Sequence, residues 1–204
     1  QATLGAFQEG SVGAGTGATV GKLFGISRAT KSGLGSAAVS RPGGLKVGAL
    51  AVVNAFGDVR DPATGTLVAG AREAPDSRAF SDTASAMRRG VVAKGYKPEN
   101  TTLAVVATNA RLTKVEATKV AQMAQHGLVR AISPVHTMLD GDLVISLATG
   151  EVEAETNAVG VAAADAVAEA ILRAVKTATS LGGLPAWKDL TRGNGEHDLP
   201  NPRE

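Results

Sequence analysis

The residue best placed to do chemistry in this chain is a hydroxyl at the start of a buried strand. The stretch Lys97-Pro-Glu-Asn-Thr-Thr-Leu-Ala-Val-Val-Ala-Thr-Asn109 runs from a turn signal, Pro98-Glu99-Asn100, into two threonines and then the apolar, β-branched run Leu103 to Ala107. That run reads as a buried strand. Were the bond between Asn100 and Thr101 cut, Thr101 would carry a free α-amine beside its own Oγ, a nucleophile and its general base within one residue. An α-amine titrates near ~7.7–8.0, so at neutral pH part of it is free to take the hydroxyl proton, and no histidine is required. Thr102, one residue on, is the rival nucleophile. Thr-Thr is also ordinary composition for the start of a strand, so these residues alone leave catalysis and plain structure both open.

Two further places carry polar groups at the edges of apolar runs. Leu45 to Asn54 reads as a strand ending in an amide. Held rigidly there, Asn54 can donate N–H to a developing oxyanion, and it can equally cap the turn that follows. Asp140-Gly141-Asp142 separates two apolar runs, and Asp-Gly is the strongest short hairpin signal in the chain, which predicts a tight turn with Asp142 at a solvated strand start. The alternative is that both carboxylates point to one side of a sheet edge. One would then accept from the Thr101 ammonium while the other orients the first or binds the hydroxyl.

Other candidates fare worse. Gly13-Ala-Gly-Thr-Gly-Ala-Thr-Val-Gly-Lys22 fails as a Walker loop, because Thr16 and Leu23 stand where a glycine and a hydroxyl residue belong. As a dinucleotide fingerprint it fits only loosely through Gly13, Gly15 and Ala18, with no strand before it and no helix pattern after. Read by itself, Lys22 is a surface lysine on a loop. His126 reads as a helix-end residue whose charge suits the dipole, and His136 as a structural or pocket-lining histidine. Neither combines with carboxylates at a metal-binding spacing, so no metal and no cofactor is expected.

The elements that must position these groups follow from periodicity and caps. A helix is expected over residues 76–89, stopped by Gly90, and the linker Gly90 to Asn100 should be mobile once cut. Thr113-Lys-Val-Glu116 is a capping box opening a helix to about Leu128. Asn157 to Leu181 is an alanine-rich helix ended by Gly182-Gly183 that should cover one sheet face. Residues 1–44 are dense in small residues. The stretch after Pro185 reads as a loosely held charged tail in which Trp187 anchors to the body or to a neighbouring subunit.

Composition bounds the rest. At 204 residues the chain suits one core, taken as a single domain over 1–204. Aromatics are only 3%, so that core must be built from Ala, Val, Leu and Ile, which favours layered sheets and helices. With no cysteine, disulfides and thiolate chemistry are excluded. The net charge of +2, scattered along the chain, gives no nucleic-acid footprint. No membrane-length apolar run or export leader is visible, which makes cytoplasm the default.

Asn-Thr-Thr-Leu-Ala-Val-Val-Ala-Thr-Asn-Ala-Arg-Leu-Thr-Lys, followed by His-Thr-Met-Leu-Asp-Gly-Asp and then Leu-Ala-Thr-Gly, resembles the L-aminopeptidase/D-esterase family of self-cleaving N-terminal-nucleophile hydrolases. The resemblance runs from about Gly13 to about Lys176, and threonine after Asn100 brings it nearest the nylon-oligomer hydrolase branch, since other branches place serine there. It implies an α/β fold, the four-layer α/β/β/α sandwich shared with ornithine acetyltransferases. It also implies self-cleavage at Asn100–Thr101 into parts 1–100 and 101–204. The implied site comprises Thr101 as nucleophile and base, Lys22 and Asn54 at the oxyanion, and Asp140 and Asp142 holding Thr101. The implied substrates are short peptides, β-peptides or nylon-type oligomers. Family members extend further at the N-terminus and form tetramers or larger assemblies, so this chain, which opens on Gln1, is expected to be the later part of a longer precursor. The alternatives are an acyltransferase like the ornithine acetyltransferases, and a non-catalytic module using the glycine-rich turn for an anion.

Overall fold

A computed structural model describes Gly5, residues 7–93 and residues 100–191. In chain order its elements are β1 (Thr19–Val20), β2 (Thr30–Lys31), β3 (Leu34–Ser40), β4 (Lys46–Asn54), β5 (Asp58–Arg60), β6 (Leu67–Ala69), α1 (Thr83–Arg88), β7 (Thr101–Ala110), α2 (Lys114–Ala131), β8 (Ile132–Ser133), β9 (Leu143–Val152), α3 (Thr156–Thr177) and α4 (Trp187–Thr191). Four strands form the main sheet in the order β3-β4-β7-β9, and β6-β5-β8 form a smaller one. In the main sheet β3, β4 and β7 are antiparallel, whereas β9 runs parallel to β7.

The parallel pair overturns the hairpin reading of Asp140-Gly141. A parallel partner needs a long crossover, and α2 supplies it. The strands either side of Asp140-Gly141, β8 and β9, belong to different sheets. The Asp-Gly turn therefore delivers the chain from one sheet to the other.

The two faces of the main sheet differ. Along β7, Ala104, Val106 and Ala110 are buried, and with Val47, Ala49, Ala51 and Val53 of β4 they pack under α2 and α3. Close approach depends on small residues: a side chain at Gly35 would put its Cβ 2.1 Å from the Ala170 carbonyl oxygen of α3, and one at Gly127 would sit 2.5 Å from the Ala164 oxygen. The opposite face is apolar and bare among the described residues. The registers Val52–Leu103–Leu143 and Leu50–Val105–Ile145 place large aliphatic side chains in rows across β4, β7 and β9. Leu50, Leu103, Leu143, Ile145 and Leu147 are all exposed on it. One helix layer on one sheet is half of a four-layer arrangement, and an apolar face of this extent is the kind a second sheet covers. Asn54 and Thr101 stand at the end of this bare face.

Several boundaries move from their expected positions. Residues 76–82 are not helical, and α1 begins only at Thr83. Asp82 caps it by accepting from Ser85 N–H at 3.0 Å, and the preceding chain is tied back through Ser81 N–H to the Ala71 carbonyl at 2.7 Å. The capping box forms as expected, with α2 running on to Ala131. Helix α3 ends at Thr177, before the glycines, which lie in a turn closed by Leu181 and Leu184. Trp187 packs against the core from α4, with the Lys176 ammonium 6.0 Å from its ring centroid. Residues 94–99 of the expected linker from Gly90 to Asn100, and the expected tail beyond residue 191, lie outside the described residues. Among the described residues no helix is long and apolar enough to cross a membrane.

Candidate active site

Asn54, the last residue of β4, pairs directly with Thr101, the first of β7. The loop carrying Lys22 is laid alongside by two backbone bonds, Gly21 N–H to the Gly57 carbonyl and Lys22 N–H to the Phe56 carbonyl, both at 2.9 Å. Gly21 has φ +74°, and a Cβ there would lie 1.9 Å from Ala71 N, so only glycine brings the lysine in this close. Lys22 is 4% exposed, and its ammonium donates to Asn54 Oδ1 at 2.6 Å and to the Asn54 carbonyl at 3.1 Å. Thr19 N–H donates to the same Oδ1 at 3.2 Å. Two donors on Oδ1 set the orientation of the carboxamide, turning its NH2 group away from the lysine.

Behind this pair lies a second buried lysine that the sequence reading passed over. Lys31 Nζ donates to the Ala18 carbonyl at 2.6 Å and to the Ser32 carbonyl at 3.2 Å, and burial pushes its pKa below the usual lysine value. It braces the carbonyl of the peptide unit whose N–H meets Asn54. Nothing in Thr30-Lys31-Ser32 signals this, because a single lysine among small residues reads as surface.

On the other side, Asn100 is 2% exposed and bridges to Asp140 in parallel fashion. Its Nδ2 donates to the Leu139 carbonyl at 2.9 Å, and its own carbonyl accepts from Gly141 N–H at 2.8 Å. The Thr101 hydroxyl lies beside that carbonyl, 2.6 Å from its oxygen. Asp140 and Asp142 flank the same spot. Asp140 Oδ1 accepts from Phe56 N–H at 3.0 Å, and its Oδ2 accepts from Thr137 Oγ1 at 2.6 Å and Thr137 N–H at 3.2 Å. Asp142, with its side chain 1% exposed, accepts from Thr102 N–H at 2.7 Å and faces His136, whose Nδ1 is 3.1 Å from Oδ2. His136 N–H also reaches that oxygen at 3.3 Å, from a backbone at φ 53°, an uncommon conformation outside glycine. While residue 101 remains in peptide linkage its nitrogen is an amide. Asp142 accordingly bonds to the backbone N–H of Thr102, and Asp140 to Phe56 N–H and Thr137, rather than to an ammonium.

The structure thus gathers Lys22, Asn54, Asn100, Thr101, Asp140 and Asp142 at one end of the sheet. Thr102 is fully buried on the helix-covered face, and its hydroxyl has no hydrogen-bond partner among the described residues. His126 is exposed on α2. Thr137 was missed, although Thr137 three residues before Asp140 is a readable local turn pattern. Cavities of about 620 Å³, beside Arg72 and Leu184, and about 560 Å³, beside Arg41 and Asn157, include none of the gathered residues. No cluster suited to a metal ion occurs among the described residues.

A hydroxyl at a strand start, an amide fixed opposite it by a lysine and two carboxylates, that of Asp142 only 1% exposed, thus meet at the open end of an α/β fold. The chain shares that fold with the L-aminopeptidase D-Ala-esterase/amidase of Ochrobactrum anthropi, with a TM-score of 0.59 and 22% identity over 90% of this chain and 48% of that one. The model of peptidase family S58 matches residues 1–186, and the chain belongs to that family. An uncharacterised aminopeptidase of Mycobacterium leprae (strain TN) is 40% identical over 201 residues, covering 90% of this chain and 53% of that protein. A 6-aminohexanoate-oligomer endohydrolase of Kocuria sp. (strain KY2) is 29% identical over 199 residues, covering 86% and 53% respectively. The chain spans about half the length of these curated relatives. The family read from the Asn100 and Asp140 motifs is the family found.

Proposed function

We propose that this protein is a self-processing amide hydrolase whose nucleophile is Thr101, released by cleavage of the Asn100–Thr101 bond into parts 1–100 and 101–204. Its substrates are short peptides, β-peptides or amide oligomers of the nylon type. The observation that carries this reading is the register pair Asn54–Thr101, with Lys22 bonded to Asn54 and the Thr101 hydroxyl 2.6 Å from the Asn100 carbonyl oxygen. It places a hydroxyl, an oriented amide donor and a cation within one site.

In turnover, Thr101 Oγ adds to the substrate carbonyl while the free α-amine takes its proton. The oxyanion is held by the amide of Asn54, whose orientation Lys22 enforces and whose neighbourhood Lys22 makes positive. The α-amine returns the proton to the departing amine, and water then hydrolyses the Thr101 ester. Asp140 and Asp142 keep the strand start in register throughout. In the first, self-cleaving event the α-amine is still an amide, so Lys22 or one of the aspartates must act as base.

The test is the Thr101→Ala variant of the full-length protein, followed by intact mass and by release from a chromogenic amide. Wild type should yield a fragment beginning at Thr101, and the variant a single uncut chain with no turnover. A variant that is still cut and still active would refute the proposal, and a fragment beginning at Thr102 would move the nucleophile one residue.

A further inference from the structure

We propose that the backbone N–H of Gly141 is the oxyanion donor for self-cleavage, holding the Asn100 carbonyl oxygen as the Thr101 hydroxyl adds to its carbon. The inference rests on the self-processing reading above and assigns a reacting group that Lys22 and Asn54 do not supply.

Three observations carry it. The donor is already in place: Gly141 N to Asn100 O is 2.8 Å, within the ~2.7–3.1 Å that an oxyanion donor requires. The attacking group is on the same oxygen's flank, since Thr101 Oγ1 lies 2.6 Å from it. Residue 141 is also shaped for this neighbour. Its φ is not among the positive values found at other glycines, so the backbone does not demand glycine. Space does: a Cβ at 141 would lie 2.9 Å from Thr101 Oγ1 and 3.7 Å from the Asn100 carbonyl oxygen. Glycine leaves room for the hydroxyl to rotate from the carbonyl oxygen towards the carbonyl carbon.

The two aspartates acquire a purpose from this arrangement. They straddle Gly141, and each is bonded outward, Asp140 to Phe56 and Thr137, Asp142 to Thr102 and His136. Clamped at both sides, the N–H of 141 cannot swing away as charge builds on the oxygen, which is what a preorganised donor requires. The step balances as follows. Thr101 Oγ gives its proton to a base and bonds to the Asn100 carbonyl carbon, whose π pair moves to oxygen and is held by Gly141 N–H. The pair returns, the carbon–nitrogen bond to Thr101 breaks, and the nitrogen takes up a proton. The ester left between Asn100 and Thr101 is hydrolysed by water, giving the Asn100 carboxylate and the free amine of Thr101.

The decisive experiment replaces Gly141 by its α-hydroxy counterpart, glycolic acid, in the full-length protein. An ester oxygen then stands where the N–H was and no side chain changes. Processing, followed by intact mass, should slow ~10²-fold, the cost typical of one lost oxyanion donor, in a protein whose circular dichroism is unaltered. A folded ester variant processed at the wild-type rate would overturn the inference. Should the ester variant fail to fold, N-methylglycine at 141, which also lacks the N–H, decides: a folded variant slowed at least tenfold supports the inference, and one processed at the wild-type rate overturns it. If wild type itself is never cut, the self-processing reading fails; if wild type is cut and the ester variant keeps pace, only the role of Gly141 fails.

Discussion

Thr101 and Thr102 are neighbours in sequence and opposites in surroundings. The side-chain period of two along β7 sends Thr102 under the helices with Ala104 and Val106, and sends Thr101 to the bare face with Leu103 and Val105. Asn54 and Val53 of β4 divide in the same way. One face of the sheet is thus packed under helices and the other carries the proposed site at its end, and a single residue of slip in register would exchange them. The helix-covered face tolerates a buried hydroxyl that bonds to nothing described, whereas every polar group identified on the open end has a partner. Among the described residues, precision is concentrated at the end that carries Asn54 and Thr101.

This contrast can be broken most severely at Thr101, where alanine should abolish both cleavage and turnover. The next largest effect belongs to Asn54→Ala. It removes the amide directly opposite Thr101 and should lower kcat of processed enzyme by ~10²–10³, measured on a chromogenic amide, with KM changed far less. An Asn54→Ala enzyme that loses binding but keeps kcat would show that the open end positions the substrate rather than its oxyanion.

The fold was legible wherever a strong period met a cap. The strands over Leu45 to Asn54 and Leu103 to Ala107 and the capping box at Thr113 stand where their patterns put them, and the alanine-rich helix does so up to Thr177, short of the expected Leu181. Only the second half of the helix expected over 76–89 forms, because buried Asp58 holds Thr83 and Asp82 caps the helix from Ser85, a tertiary effect invisible in propensity. The Asp-Gly pair misled because a turn signal reports only that the chain turns, not which sheet it enters. At the site, Thr101, Asn54 and the aspartates could be picked out as strand-end polar groups. Their assembly with Lys22 came from the resemblance, and Lys31 from neither, since nothing local marks a lysine as buried.

Two buried polar side chains sharpen the comparison at smaller scale. Asp58 is fully enclosed and satisfied, accepting from Ala71 N–H at 2.9 Å, Thr83 N–H at 2.6 Å and Thr83 Oγ1 at 2.7 Å. Burial nevertheless outweighs these bonds and pushes its pKa from 3.8 up to about 6. A carboxyl raised in the folded state stabilises the fold when protonated. Its contribution is complete below the unfolded value and is lost as pH climbs through about 6, a decline of up to about 3 kcal/mol. Denaturant melts of wild type and Asp58→Asn between pH 4 and 7 should differ in this slope, with the variant flatter. Parallel curves would mean that Asp58 stays ionised throughout.

Thr102 is the smallest test and the cleanest. Its hydroxyl is buried without a partner among the described residues, whereas its backbone N–H holds Asp142. Thr102→Val exchanges that hydroxyl for a methyl of nearly the same shape and leaves the N–H untouched. Because an unpaired buried hydroxyl costs ~1–3 kcal/mol in desolvation, the variant should gain about 1 kcal/mol and melt ~2–4 °C higher, while cleavage ahead of Thr101 proceeds as before. A destabilised variant would show that the hydroxyl is paired after all. A stable variant that no longer processes would show that the helix-covered face reaches into the chemistry, and the division of the sheet into a packing face and a reacting face would fall.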